Sequence, residues 1–354
     1  MPLEFEIAPG RMIGGDNPCF VIAEIGQNHQ GDMKIAKQMI QVAKDAGADC
    51  AKFQKSELEY KFNKEALIRP YNTPNSWGAT YGEHKRYLEF SHEQYYELKA
   101  YADSIGILMT ASGMDEKAVD FLDELGVSFL KVASMDTNNL PYLTHAAKKG
   151  RPMVISSGMQ TLETMRKVYE IVKPVNNKFC ILQCTSCYPL APENVHLNVI
   201  KTYLKEFPDI PIGYSGHEQG LAITLGAVAM GAKVVERHIT LDKSWKGSDH
   251  KASLDPRELT ELISNIRVLE KAMGSYDKDM RQCEVYMYEK LGKTVVANTD
   301  IPAGVPMTLD MLTVKVAEPK GYPPELIDEL IGKKLKSGVD SDESILKDNI
   351  ATYS

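Results

Sequence analysis

Eight short apolar segments recur along the chain, and each is followed by a stretch with helical periodicity. They are near-continuous apolar runs rather than strict alternations, which is typical of parallel strands covered on both faces. The segments lie at 20–26, 50–54, 108–113, 129–134, 153–158, 179–185, 211–216 and 234–240. Eight strand–helix units before residue 275 predict a (β/α)8 TIM barrel, with a doubly wound open sheet as the main alternative.

The pattern changes after Gly274. Residues 275–289 are polar and lack an apolar period, so they are interpreted as a linker. Strand-like pieces at 294–297 and 311–316 and a short helix near 324–331 then predict a small α+β domain. We therefore expect a barrel domain at 1–274, a linker at 275–289 and a second domain at 290–354.

Charge and composition argue against several classes of protein. Lys plus Arg total 41 and Asp plus Glu total 48, which gives a net charge of −7. Nucleic acids and anionic membranes bind basic protein surfaces, so this balance argues against both as general partners. No apolar run approaches the ~18–20 residues of a membrane span, and the first residues lack the features of a secretory signal. The six cysteines are sparse, and Cys180, Cys184 and Cys187 are interpreted as buried thiols rather than a metal site. We expect a cytoplasmic protein.

Polar side chains occur at the carboxyl ends of all eight predicted strands, where barrel enzymes build their active sites. Alone, each has an ordinary structural explanation, such as a lysine reaching solvent or a serine bonded to nearby backbone. Together they indicate an active site, because such groups resist burial without partners. The set includes Glu24, Lys52, Gln54, Thr110, Ser112, Lys131, Ser134, Asp136, Ser156, Ser157, Thr185, Ser186, Tyr188, Ser215, His217, Glu236, Arg237 and His238, with Asp249 in the last loop.

The residue types in this set suggest a ligand class. Two lysines with a ring of hydroxyl groups suit a small phosphorylated carboxylate, because cations neutralise the anion and hydroxyls orient its oxygens. A Schiff-base lysine at position 131 is the alternative. Two histidines with a nearby glutamate suit a divalent ion such as Mn²⁺, unless the histidines are satisfied core donors. The residues meant are Lys52, Lys131, Thr110, Ser134, Ser156, Ser186 and Ser215 for the anion, and His217, His238 and Glu24 for the metal.

Several long motifs in one order resemble the sialic acid synthase family, which condenses phosphoenolpyruvate with an N-acetylmannosamine sugar. They are AEIGQNHQG (23–31), AKFQK (51–55), KVASMDTNN (131–139), SSGMQ (156–160), QCTSCYP (183–189), IGYSGHE (212–218), ERHIT (236–240) and KGSDHKASL (246–254). KLGKTVVA (290–297) and EPKGYPPELI (318–327) resemble the small antifreeze-like (SAF) domain of that family. KSELEYKFNKEAL (55–67) and TYGEHKRYLEFSHEQY (80–95) are closest to its animal branch, which implies N-acetylmannosamine 6-phosphate as acceptor and N-acetylneuraminate 9-phosphate as product.

The resemblance implies a role for each matching residue. The phosphate and carboxylate of phosphoenolpyruvate would be held by Lys52, Thr110, Lys131, Ser134, Ser156, Ser186 and Ser215. The sugar would be contacted by Gln54, Tyr188 and Asp249, and Mn²⁺ or Mg²⁺ would be bound by His217 and His238. Glu24, Asp136 and Lys131 would be catalytic, with Asp136 near the new C2 centre and Glu24 near the metal and its water. A homodimer with exchanged SAF domains is also implied.

The chain departs from the family pattern at a few positions. Many relatives have glycines where Ala133 and Met135 stand, so a positive φ at either position would strain the loop. Residues 318–323 lack the arginine that contacts the acetyl group in bacterial relatives. Three alternatives stay open: another phosphoenolpyruvate-dependent keto-acid synthase, a Schiff-base aldolase, and a degenerate barrel that acts as a binding protein.

Overall fold

A computed structural model describes residues 3–351, and the chain divides into two compact units, Met1–Gly274 and Ser275–Ser354. No helix within residues 3–351 has the length and apolar character needed to span a bilayer. The first unit begins with an antiparallel hairpin of β1 (Glu4–Ala8) and β2 (Arg11–Gly14). Sequence patterns had not predicted this hairpin of five- and four-residue strands.

Eight parallel strands follow and close into a barrel, because the last of them pairs with the first. The predicted TIM barrel is therefore confirmed, and the open sheet is excluded. The barrel strands are β3 (Phe20–Gly26), β4 (Cys50–Lys55), β5 (Leu108–Gly113), β6 (Leu130–Val132), β7 (Met153–Ser156), β8 (Phe179–Cys184), β9 (Ile212–Gly216) and β10 (Val234–His238).

Helices surround the barrel and bury their apolar faces against it. In the first of them, Asp32 caps the amino end by accepting from the backbone N–H groups of Lys34 and Ile35. Capping boxes also occur at Ser91/Gln94 and at Asp255/Glu258, where side chain and backbone bond reciprocally. The helices of this unit are α1 (Met33–Asp45), α2 (Leu58–Lys61), α3 (Lys64–Ile68), α4 (Tyr81–Leu88), α5 (His92–Ser104), α6 (Glu116–Glu124), α7 (Leu140–Ala147), α8 (Leu162–Val172), α9 (Asn198–Glu206), α10 (Ala222–Ala229) and α11 (Pro256–Met273).

The interior of the barrel has an apolar half at the amino ends of the strands. Side chains that alternate along the strands meet there with those of the amino-terminal hairpin, which closes this end of the barrel. The cluster consists of Phe5, Ile7, Ala8, Ile13, Phe20, Ile22, Cys50, Phe129, Val154, Cys180, Leu182 and Val234. Two residues further along the strands, the inward positions become charged or hydroxylated, so the other half of the interior is polar.

The second unit has its own small core. Strands β11 (Thr294–Ala297) and β12 (Leu312–Lys315) pair antiparallel, and a 3-10 helix lies at Pro324–Leu330. Buried side chains such as Val295, Met307 and Leu330 pack together inside it. The stretch predicted as a linker is not featureless, because a 3-10 turn at Gln282–Glu284 leads into α12 (Val285–Leu291).

Candidate active site

The polar half of the barrel interior lines an open cavity of about 280 Å³. Eleven of the fourteen residues to which the resemblance assigns a role line it, and they come from seven different strands or the loops after them. They are Glu24, Lys52, Gln54, Lys131, Ser134, Ser156, Ser186, Tyr188, Ser215, His217 and His238. Groups that are hundreds of residues apart in sequence therefore meet at one end of the barrel.

The other three residues with an assigned role do not line this cavity. The Thr110 side chain is fully buried, and its hydroxyl donates to the backbone oxygen of Phe129 at 2.8 Å, which ties two strands together. The Asp249 carboxylate lies beside His238, with Oδ2 3.8 Å from Nδ1. Asp136 follows the cavity-lining Ser134, and its Oδ2 is buried with no hydrogen-bond partner among residues 3–351.

Lys52 lies among three acceptors at the centre of the barrel. Its Nζ is 2.6 Å from Glu24 Oε2 and 3.6 Å from Glu236 Oε1, and it donates to Ser112 Oγ at 3.0 Å. Gln54 donates to the other oxygen of Glu24 at 3.2 Å. The first predicted anion-binding lysine is thus held in position by two carboxylates and a hydroxyl.

Lys131 is held in a similar way on the other side of Glu236. Its Nζ donates to Ser156 Oγ at 2.8 Å and to the Val132 carbonyl at 2.9 Å, and it is 3.7 Å from Glu236 Oε2. The centre of the site therefore contains two ammonium groups and two carboxylates, whose formal charges cancel. Glu236 had no assigned role in the sequence analysis, although its position two residues before His238 places it on the same inward face.

Burial changes the pKa values of these groups. Burial raises the pKa of Glu24 to about 7, against the opposing effect of the adjacent Lys52. Burial likewise raises the pKa of Asp136 to about 6, which Lys61 opposes. Burial would raise the pKa of Glu236 too, but Lys131 and Lys52 together hold it below its ordinary value. Glu24 and Asp136 are therefore the carboxyls suited to exchange protons near neutral pH.

A pair of hydroxyl groups faces the backbone of Gly158. The Gly158 N–H donates to Ser134 Oγ at 3.0 Å. A Cβ at this position would overlap the Ser186 hydroxyl and lie 2.7 Å from Ser134 Oγ, so any larger residue would displace these hydroxyls. Ser134 also donates to the sulfur of Cys184 at 3.6 Å. Cys184 is buried as predicted and lines the cavity, which had not been predicted, whereas Cys187 is exposed.

The two predicted metal-binding imidazoles lie side by side. The ring centroids of His217 and His238 are 5.4 Å apart, and Tyr188 packs against both, at 4.0 and 5.7 Å. His217 Nδ1 shares a 2.8 Å hydrogen bond with the Thr185 carbonyl, and the imidazole also contacts Cys184, so Nε2 is the nitrogen that a cation would have to bind.

The histidine pair fits a divalent cation. Burial lowers the pKa of His238 to about 4, so the imidazole is neutral at pH 7, as a metal ligand must be. Its Nδ1 is buried with no hydrogen-bond partner in the described part of the chain. Residues 3–351 contain no cluster of three or more His, Cys, Asp or Glu side chains that could hold a metal. Two protein ligands would leave the remaining positions for water and substrate.

The loop after β6 is not strained by its departures from the family pattern. Ala133 has φ −72°, and Met135 is not among the residues with positive φ, so no glycine is required at either position. Both side chains line the cavity, where Met135 is 52% exposed. A non-glycine residue with positive φ lies nearby instead, at Met159, where φ is 64°.

A closed parallel barrel with charged and hydroxyl side chains converging at the carboxyl ends of its strands defines a (β/α)8-barrel enzyme. The NeuB family profile matches residues 39–278, and the SAF domain profile matches residues 292–351. The chain belongs to the NeuB family. The resemblance to sialic acid synthases is thereby confirmed, and so is the expectation of an enzyme of that class.

Individual relatives match over nearly the full length. The N-acetylneuraminate-9-phosphate synthase of Mus musculus is 64% identical over 354 residues, covering 100% of this chain and 99% of the mouse protein. That of Homo sapiens is 65% identical over 353 residues, covering 100% and 98%. A crystal structure of N-acetylneuraminic acid synthetase from Leptospira borgpetersenii, in complex with citrate, superposes with a TM-score of 0.72 at 32% identity, covering 82% of this chain and 96% of that one.

Proposed function

We propose that this protein condenses phosphoenolpyruvate with N-acetylmannosamine 6-phosphate, giving N-acetylneuraminate 9-phosphate and phosphate. The observation that carries the proposal is that an imidazole pair and an ammonium pair face the same cavity. These are His217 and His238, with ring centroids 5.4 Å apart, and Lys52 and Lys131, which both contact Glu236. The names of the mouse and human relatives support the phosphorylated sugar as acceptor. Free N-acetylmannosamine, giving N-acetylneuraminate, is the alternative acceptor.

The phosphate and carboxylate of phosphoenolpyruvate would lie against the lysines and hydroxyls of the cavity. Lys131 already donates a hydrogen bond to Ser156, and Ser134 and Ser186 face the Gly158 backbone. These side chains therefore need little further ordering when the anion binds. Ser215 lines the same wall. Thr110, whose hydroxyl is bonded to Phe129, would support Lys52 across the paired strands rather than contact the anion.

His217 and His238 would hold a divalent cation, Mn²⁺ or Mg²⁺. When bound, the cation would polarise the sugar aldehyde and add positive charge to a centre where Lys52, Lys131, Glu24 and Glu236 cancel. Gln54, Tyr188 and Asp249, which lie around this pair, would orient the sugar.

Condensation needs one carbon–carbon bond to form and one carbon–oxygen bond to break. The enol carbon of phosphoenolpyruvate attacks the aldehyde carbon, whose oxygen takes up a proton and becomes a hydroxyl. Water then adds to the resulting cation at C2 and loses one proton. The tetrahedral intermediate releases phosphate by C–O cleavage as its C2 hydroxyl gives up its proton, which leaves a keto group at C2. Glu24 orients the water and accepts its proton, for which a pKa of about 7 is suitable. Asp136 transfers a proton at the C2 centre, and Lys131 stabilises the departing phosphate.

We infer the remaining organisation from the family. Residues 1–274 would form the catalytic domain, 275–289 the linker and 290–354 the SAF domain, which in a homodimer would cover the barrel mouth of the second copy. A cytoplasmic location is consistent with six free cysteines.

The experiment that tests this proposal measures phosphate and the mass of the sugar product. Purified protein is incubated with phosphoenolpyruvate and either acceptor, with and without Mn²⁺. We expect N-acetylneuraminate 9-phosphate as the product of the phosphorylated sugar, with phosphate released in equal amount. Phosphate release without a nine-carbon product, or no reaction with either sugar, would refute the proposal.

A further inference from the structure

A second cavity of about 140 Å³ lies beside the first, between the excursion after β4 and the loop after β10. Asp249 lines it, and the Asp249 carboxylate is 3.8 Å from His238, which lines the first cavity. The two cavities are therefore separated by little more than one side chain. None of the roles assigned so far uses the rest of this second cavity.

Two ammonium groups in the second cavity have no carboxylate partner. Lys85 donates to Gln27 Oε1 at 2.8 Å, and Lys246 lies 4.4 Å from the ring centroid of Trp77. Neither lysine makes an ion pair with any residue in the range 3–351. Burial lowers the pKa of Lys85 to about 8, and the charge of Lys61 acts in the same direction.

The first cavity provides the contrast. There, Lys52 and Lys131 share Glu236, and Lys52 also contacts Glu24. Two lysines and only one carboxylate, that of Asp249, line the second cavity, so the net charge of its lining is positive. Lys85 is half-buried, whereas Lys246 is exposed. The burial of the Lys85 ammonium group without a counter-ion is costly for the fold, and an incoming anion would relieve that cost.

The cations are held in place before any ligand arrives. The Gly247 N–H donates to Asn75 Oδ1 at 3.3 Å, which joins the two loops that form the cavity. Trp77 stacks on Tyr87 with centroids 4.5 Å apart, and Lys246 lies over the Trp77 ring. This arrangement limits the loss of side-chain entropy when a charged group binds between Lys85 and Lys246.

We propose that the second cavity binds the 6-phosphate of the acceptor sugar through Lys85 and Lys246, and so selects the phosphorylated sugar over the free one. The inference rests on the proposed condensation. A phosphate monoester carries about −1.5 to −2 charges at pH 7, which two ammonium groups match. A sugar with its aldehyde at His238 would pass Asp249, and its far end would enter the second cavity.

The test compares two acceptors in variants of the cavity. KM and kcat for N-acetylmannosamine 6-phosphate and N-acetylmannosamine are measured in wild type, Lys85→Met and Lys246→Ala. Lys246→Arg, which keeps the charge, and Lys251→Ala, an exposed lysine of the same loop that does not line the cavity, are the controls. We expect each of the first two variants to raise KM for the phosphorylated sugar roughly 10-fold or more. Values of kcat/KM for the free sugar should stay within about 2-fold.

Two results would overturn the inference. One is an unchanged KM for the phosphorylated sugar in both variants. The other is an equal loss with both sugars, because that would mean that the lysines support the fold or the chemistry rather than the 6-phosphate.

A binding measurement separates this inference from the proposed function. Calorimetric titration in EDTA with saturating phosphoenolpyruvate uses the sugar phosphate, the free sugar and inorganic phosphate as probes. If wild type produces no nine-carbon sugar, the proposed function fails. The inference then stands only if wild type binds the sugar phosphate and the Lys85→Met/Lys246→Ala double variant binds it more weakly. Equal binding of the sugar phosphate by both proteins, or no binding by wild type, overturns the inference. Tighter binding of inorganic phosphate than of the sugar phosphate also overturns it, because the cavity would then be a site for the free ion.

Discussion

The two halves of the barrel interior are built from the same strands but differ completely in chemistry. In the amino-terminal half, Ile22, Cys50 and Phe129 pack against other apolar side chains. Two residues further along the same strands stand Glu24, Lys52 and Lys131, which are equally buried. The apolar half contributes stability through area removed from water, whereas the polar half must pair every charge with another. The comparison predicts that the two halves respond to substitution in opposite ways.

The largest expected effect is on activity in the polar half. His238→Ala should lower kcat/KM by roughly 1,000-fold or more, equivalent to about 4 kcal/mol, because the proposed cation loses one of its two protein ligands. The free energy of unfolding, measured by urea denaturation without metal, should change by less than about 1 kcal/mol. The surface variant His145→Ala is the control. Wild-type activity in the His238→Ala variant would contradict the expectation that substitutions in the polar half act mainly on activity.

A substitution in the apolar half should act on stability instead. Phe129 is fully buried and packs edge-to-face on Phe20, with ring centroids 5.8 Å apart. Phe129→Ala should lower the free energy of unfolding by about 3–5 kcal/mol, because it leaves a cavity. The folded fraction should keep kcat within a few-fold at low temperature. A large loss of kcat with little loss of stability would show that the apolar half takes part in the chemistry.

Asp136 combines both effects, with opposite signs. Asp136→Asn should lower kcat roughly 100-fold, because the proton-transfer group is lost. The same change should stabilise the fold at pH 8 by about 1–3 kcal/mol, because a carboxyl whose pKa is raised from 3.8 to about 6 by burial costs stability when ionised. This cost is fully present above pH 6 and disappears as the pH falls towards 4. Urea unfolding at pH 5 and pH 8 checks it, and an equal difference at both values would contradict the account.

The smallest effect expected here is at Gly158. Gly158→Ala should raise KM for phosphoenolpyruvate roughly 10-fold, because the added methyl group displaces the Ser134 and Ser186 hydroxyls that face this position. KM for the sugar serves as the internal control and should change little. If both KM values rise together, the substitution has disturbed the whole cavity rather than the anion site alone.

Much of the fold could be predicted because each barrel strand carries a strong local signal. The capping boxes of α5 and α11 are local signals of the same kind, because the two residues of each box lie three positions apart in the sequence. The excursion helices α2 and α3 were not, because helices of four and five residues are too short to show a period. Tertiary contacts, rather than local pattern, determine such short elements.

The candidate site could be predicted only to the level of which side chains face inward. Alternation along β10 places Glu236 with His238, but the register that sets Glu24 opposite Lys52 is a property of the closed barrel. The pairing of charges was therefore not foreseen. The same limit applies to Thr110, because its sequence position does not tell whether the hydroxyl faces the cavity or bonds to Phe129.

The proposed catalyst depends on the imidazole pair holding a divalent cation in the cavity where phosphoenolpyruvate reacts. The most direct measurement titrates Mn²⁺ into metal-free protein, following the free ion by its electron paramagnetic resonance signal and phosphate release in the same samples. We predict one site per chain, activity that rises with its occupancy, and loss of both in the His217→Ala/His238→Ala variant. Full phosphate release in excess EDTA, or unchanged Mn²⁺ binding by that variant, would contradict the account.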